Sequence, residues 1–320
     1  MKRFILSLFT LSLIVSCSKD NNNGEQPNQE TMLLPKQVVE RYTITERDQN
    51  GVETKIEHVE EVNYEIVGNK VVGGTFNFFK NNKKEGSSKF TYTYENDLLK
   101  TSVHVNLKTN EEDSRITCKY ENRKLVEKVE EWLTNSGKNS STNTYKYSGD
   151  KLIEKQVKNN WGSDESIKTS KFVYVSPTEI KKIETIPYII NGQEMTRTKT
   201  TTYTLDTERR VIKSVEERED SKITKEFQYD DKKNYKHHLI ALATEPDHFL
   251  DEEIMKNNLI SVKRTYENKQ NSQYNETETS TYSYQYNDKG YPTRIEEVHK
   301  ENDKENDKVV QESTVEITYY

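Results

Sequence analysis

The chain has 320 residues, 48 Lys and Arg against 54 Asp and Glu, and only 31% hydrophobic side chains. A net charge of −6 excludes the concentrated basic surface that a nucleic-acid backbone requires. Beyond the N-terminal segment no apolar run approaches the roughly 18 residues of a membrane-crossing helix, and 20 Tyr placed regularly in β-rich runs favour a folded sheet with a thin or one-sided core.

Lys2 and Arg3 form a basic start, Phe4 to Val15 an apolar stretch too short to span a bilayer, and the small Ser16 precedes Cys17, the layout of a cleaved export signal. Leu13-Ile14-Val15-Ser16-Cys17 resembles the lipobox of bacterial lipoproteins. That resemblance implies removal of residues 1–16 and lipidation of Cys17, whose acyl chains would anchor the protein to the outer membrane. Ser18 to Glu30 holds no aliphatic or aromatic residue, so residues 17–35 are expected to be a solvated tether. Its Ser18-Lys19-Asp20-Asn21 start resembles the polar export signal of surface lipoproteins of Bacteroidetes, which implies display at the cell surface. With Cys17 lipidated, Cys118 is the remaining thiol and no internal disulfide can form; within Thr117-Cys118-Lys119-Tyr120 it reads as a buried strand residue.

From residue 36 to 320, Thr, Val, Ile, Tyr and Phe alternate with Lys and Glu in short runs punctuated by Asn, Gly, Asp and Ser, the period-2 signature of strands. Val38 to Ile44, then Asn50-Gly51, then Val52 to Val67 reads as a hairpin. A repeat follows: Tyr92-Thr93-Tyr94 with Leu98-Leu99, Cys118-Lys119-Tyr120 with Leu125-Val126, Tyr145-Lys146-Tyr147 with Leu152-Ile153, and Phe172-Val173-Tyr174 with Ile180. The spacing fits one two-stranded unit with its turns. These segments resemble the Tyr-Asp repeats of Rhs-type proteins and, more closely, the repetitive β-rich lipoproteins of Bacteroidetes, a resemblance that implies no catalytic activity. Tyr229-Asp230-Asp231-Lys232-Lys233-Asn234 matches that family's pattern, whereas Tyr235-Lys236 stands where Pro-Phe is usual.

The predicted fold is all-β, an antiparallel meander of fourteen or more strands curled into an elongated, half-open barrel or shell, with one helical insert. The alternative is two β domains divided near Pro177 to Pro187. The insert spans about residues 234–258, where the alternation stops. Asp247 after Glu245-Pro246 would cap a short helix with Phe249, Leu250, Ile254 and Met255 on its apolar side, and Leu239 to Ala243 would cover a sheet face or plug an open end.

No nucleophile elbow, phosphate loop, His-Glu-x-x-His or Cys-x-x-Cys appears in the mature chain, so no catalytic residue, metal or cofactor is assigned. His237, His238 and His248 lie near Asp247, Asp251 and Glu252, but adjacent His in an extended run face opposite ways and do not share a metal. The candidate ligand-binding residues are Trp132, Trp161, Tyr282, Tyr284 and Tyr286, aromatic surfaces able to stack on a sugar ring or grip a protein partner. The functions expected are, in order, a membrane-anchored non-enzymatic binding or structural protein, a carbohydrate-binding component of polysaccharide capture, and an envelope hydrolase built on His238, Asp247 and Glu252.

Overall fold

The computed structural model describes residues 33–47, 53–134, 137–161, 164–190, 193–240, 245–303 and 306–320. Cys17 and the tether up to residue 32 lie outside them. The strands are β1 (Pro35–Arg47), β2 (Glu53–Val67), β3 (Lys70–Lys80), β4 (Lys83–Glu95), β5 (Leu98–Asn106), β6 (Glu112–Glu121), β7 (Lys124–Thr134), β8 (Gly137–Ser148) and β9 (Lys151–Trp161). They continue as β10 (Asp164–Ser176), β11 (Glu179–Ile190), β12 (Gln193–Leu205), β13 (Val211–Glu217), β14 (Ser221–Lys233), β15 (Asn257–Asn268), β16 (Glu276–Tyr286), β17 (Pro292–Asp303) and β18 (Asn306–Tyr319). A short helix, α1 (Tyr235–Ile240), and two 3₁₀ turns, His248–Leu250 and Glu252–Ile254, lie between β14 and β15.

Each strand pairs antiparallel with the next, and β1 pairs with both β2 and β18: Val38 stands opposite Val62 on one side and Ile317 on the other. The sheet is therefore a closed 18-stranded barrel, which corrects the expected half-open barrel or shell. An open meander would leave the outer edges of β1 and β18 without partners, and closure satisfies both rows of backbone groups. The ladders of β10, β11 and β12 run on through the Pro177 to Pro187 region, so the barrel is one sheet there.

Several of the regularly placed Tyr share one local arrangement. The turns after β4 and β6 are two-residue turns whose central residues, Asn96 and Asp97 or Asn122 and Arg123, all have positive φ, the mirror-image geometry that matches strand twist. The last Tyr of a strand then donates its hydroxyl to a carbonyl near the start of the strand before it. Tyr94 bonds Val71 O at 2.6 Å, Tyr147 bonds Leu125 O at 2.8 Å, Tyr229 bonds Val211 O at 2.8 Å and Tyr319 bonds Pro292 O at 2.7 Å. Two adjacent positions need glycine: a Cβ on Gly73 would stand 2.6 Å from Phe90 O, and one on Gly74 2.0 Å from Asn63 O and 2.5 Å from the Phe90 ring that lies over it.

The two faces of the wall differ in kind. Outward positions read Lys55, Glu57, Glu61, Glu65 on β2, Lys89, Thr91, Thr93 on β4 and Thr196, Thr198, Thr200, Thr202 on β12, with cross-strand ion pairs such as Lys146–Glu154 at 2.7 Å and Lys158–Glu165 at 2.9 Å. A lipid-facing barrel wall carries an apolar band instead, and each Lys or Arg at its middle costs about 2–4 kcal/mol. The exposed aliphatic residues of this face, Val67, Leu133, Ile153, Ile167, Val173, Val175 and Ile212, are spread over β2, β7, β9, β10 and β13 among charged and hydroxyl side chains.

Candidate functional site in the barrel lumen

An 18-stranded barrel is too wide for its wall side chains to fill. The segment between β14 and β15 folds into the end where the short turns lie. Its Tyr235, Leu239, Leu250 and Met255 join Tyr64, Val71, Phe90, Cys118, Leu152, Ile180, Val211, Phe227 and Ile317 of the wall in one core. Cys118 is buried there, as its strand pattern predicts. Toward the opposite end, among the described residues, the inward Ile44 on β1, Trp161 on β9, Tyr188 on β11 and Met195 on β12 are exposed, whereas Ile56, opposite Ile44 on β2, is buried. The insert is thus a plug, and the lumen is a cup.

The plug differs from the predicted helix. Asp247 caps nothing with its side chain, because its carboxylate faces Lys155 Nζ at 3.1 Å. Two 3₁₀ turns replace the helix, the second capped by Asp251, which accepts from Glu253 N. Glu245 pins this part to the wall: it receives Lys128 at 2.7 Å, Lys155 at 2.7 Å and the Tyr145 hydroxyl at 2.8 Å, from β7, β9 and β8. Burial opposes charge on Glu245, but Lys128 and Lys155 outweigh it and hold the carboxyl well below the usual range. Lys225 of β14 pairs with Glu252 at 3.0 Å, and Asn234 holds Glu253 O at 2.7 Å and Met255 O at 3.0 Å.

Above the plug lies a cavity of about 410 Å³, lined on one side by Lys128, Glu130 and Lys155, on another by Lys182 and Tyr203, and floored by Glu245, Asp247, His248 and Asp251. Its titratable groups are strongly perturbed. Burial lowers the Lys182 ammonium against the pull of Glu184, and it raises Asp251 to about 6. Glu184 is buried, yet Lys182, Lys168 and Lys199 hold it down to about 2. His248 is lowered by burial, and its Nδ1–H donates to Glu245 O at 2.8 Å. Across the lumen, Glu40 of β1 stands directly opposite Glu60 of β2, and burial lifts it to about 7.

The candidate aromatic residues divide. Trp132 and Trp161 come together on the inner wall near the open end, their rings stacked at 5.6 Å and 17°. They belong to β7 and β9, about 10 Å apart with β8 between them, so the indoles lean toward each other over β8. Tyr282, Tyr284 and Tyr286 also face inward, on β16, away from that pair, and belong to the packing. Tyr282 lies against the core, Tyr284 donates to Leu259 O at 2.5 Å and stacks on Tyr286, and Tyr286 donates to Asp230. Of the residues weighed for a hydrolase, Asp247 and Glu252 are each engaged by a wall lysine, and the His238 side chain lies outside the described residues. His237 Nδ1 bonds Ile254 O at 2.9 Å, and among the described residues no group of three His, Cys, Asp or Glu is placed to hold a metal. Sequence reasoning missed Lys168, Lys182, Lys199, Glu184 and Glu245; the first four, as Lys and Glu in alternating strands, looked like solvated faces that only parity relative to buried neighbours turns inward, and Glu245 of the insert finds its partners only through the tertiary fold.

These features define a class: a plugged, closed up-and-down barrel with a charged lumen. No family model matches the chain, and no curated protein matches it. Among solved structures it is similar to a porin-like protein of Bacteroides uniformis, at 12% identity and a TM-score of 0.44 over 89% of this chain and 96% of that one. It is also similar to a porin-like protein of Bacteroides vulgatus, at 12% identity and a TM-score of 0.38 over 90% and 99% of the two chains. Pseudomonas aeruginosa OccK5 (OpdH) follows, at 7% identity and a TM-score of 0.24 over 89% and 98%.

Proposed function

We propose that this protein is a non-enzymatic receptacle that stands in water, tethered to the outer membrane by a lipid on Cys17, and takes a hydrophilic ligand into its lumen through the end opposite the plug. The observation that carries this reading is the contrast between the wall's faces: a Lys-, Glu- and Thr-rich outside, and an inside sealed by core packing at one end, with a charged cavity above the seal and exposed inward residues toward the other end. A channel through lipid would need the reverse outside. A binding role is supported by the way the lumen's carboxylates are engaged by lysines, which leaves Asp247 and Glu252 poorly placed as an acid–base pair.

Lipid anchoring and barrel solubility are tested together in the native host. Replacing residues 1–17 by an ordinary cleavable secretory signal should abolish incorporation of labelled fatty acid and release the exported barrel in a form that stays soluble without detergent. A variant that remains membrane-bound and needs detergent for extraction would mean that the barrel itself enters the bilayer, and the receptacle reading would fall. Digestion of the wild-type protein on intact cells by an impermeant protease, with a periplasmic control spared, is expected for a surface location.

A further inference from the structure

We propose that the lumen binds a segment of acidic polysaccharide, an inference that rests on the receptacle reading. Three layers of the inner wall carry it. At the open end the stacked Trp132 and Trp161 present an apolar aromatic surface, and Trp161 keeps 52% of its area exposed although it faces inward. Indole faces attract the C–H faces of pyranose rings, and an exposed stack inside a cup has little folding role. Below the pair, inward positions of β8, β9 and β10 are amides and hydroxyls: Ser141 stands opposite Asn159, and Asn159 opposite Ser166. Such groups donate and accept in the pattern sugar hydroxyls need.

Deeper still, four cations, Lys168, Lys182, Lys199 and Arg218, share two carboxylates. Glu184 pairs with Lys168, with Lys199 at 2.9 Å and with Lys182 at 3.5 Å, and Glu216 pairs with Lys199 at 3.0 Å and Arg218 at 2.5 Å. Lys182 has the longest of these contacts, and it lines the cavity. A carboxylate or sulfate brought there would supply the missing countercharge. The facing wall of the cavity is the opposite case, with Glu130, Glu245 and Asp247 around Lys128 and Lys155. That surplus of negative charge disfavours a small free anion and suits a ligand that offers hydroxyl donors to the carboxylates and one acidic group to Lys182. Lys168 lies four residues along β10 from the position facing Trp161, about 13 Å by strand rise, so aromatic stack and cationic wall fall within the reach of one short oligosaccharide.

Calorimetry on the protein exported through a cleavable secretory signal in place of residues 1–17, with four probes of similar length, tests this: an oligogalacturonate, a chondroitin sulfate oligomer, a neutral maltodextrin and poly-glutamate. At least one acidic glycan should bind about tenfold or more tighter than the neutral one, and which acidic glycan binds separates carboxylate from sulfate recognition. Lys182→Gln should erase that preference while a cooperative melt shows that the barrel still folds, and Trp161→Ala should weaken all glycans. Equal binding of the neutral glycan, equal or tighter binding of poly-glutamate, or no heat with any glycan would overturn the proposal. A parallel Asn159→Cys variant separates this failure from failure of the receptacle reading. Labelling of the introduced thiol by a hydrophilic maleimide without glycan binding would reject only the ligand class; no labelling would mean that the lumen is shut and would reject both.

Discussion

Glu40 and Glu60 face each other across the β1–β2 ladder inside the barrel, and burial lifts Glu40 from 4.5 to about 7. Between those values the native chain keeps a proton that the unfolded chain has lost, so stability falls as pH rises through that window. Asp251, raised to about 6, adds a slope of the same sign from 3.8 upward. Glu184 acts oppositely: its carboxyl is depressed to about 2, so its contribution is present above 4.5 and lost as pH falls below it. Urea denaturation should therefore show greater stability near pH 5 than near pH 7.5, and Glu40→Gln should remove about 2–3 kcal/mol of that difference. An unchanged slope in the variant would mean that Glu40 is ionised in the native state. None of these groups could be singled out among 54 acids in the chain, because a carboxyl's environment here depends on which strand lies beside it.

At the scale of elements, the plug is the part whose sequence and structure diverge most. Its existence was legible: alternation stops near Asn234, the most apolar stretch of the mature chain follows, and a plugged end was one of two readings of it. Its conformation was not, since Asp247 is drawn to Lys155 and two 3₁₀ turns form where a capped helix was expected. Breaking its main attachment has a definite cost. Glu245→Ala would leave Lys128, 5% exposed, facing Glu130 alone and deprive Lys155 and Tyr145 of a shared partner. Removing one member of a buried ion cluster costs about 3–5 kcal/mol. Hydrogen exchange and limited proteolysis should then show residues 235–256 opening before the barrel melts; protection equal to wild type would mean that apolar packing alone holds the plug.

For the whole molecule, closure is the feature that matters most for stability against association. Deleting residues 306–320 removes β18 and leaves β1 and β17 as open edges, ready templates for another chain. Size-exclusion chromatography should show oligomers or aggregates in place of the monomeric barrel expected of the full chain; a well-behaved monomer would mean that β1 and β17 can re-pair. The strands and the turns were legible in the sequence because they arise locally, from period-2 alternation and from Asn and Asp in left-handed turns. Which residues line the lumen, whether the first and last strands meet, and whether Trp132 touches Trp161 were decided only by tertiary structure. Those facts depend on register summed over eighteen strands and on pairing between opposite ends of the chain, and a one-residue slip in any ladder would turn the charged wall outward.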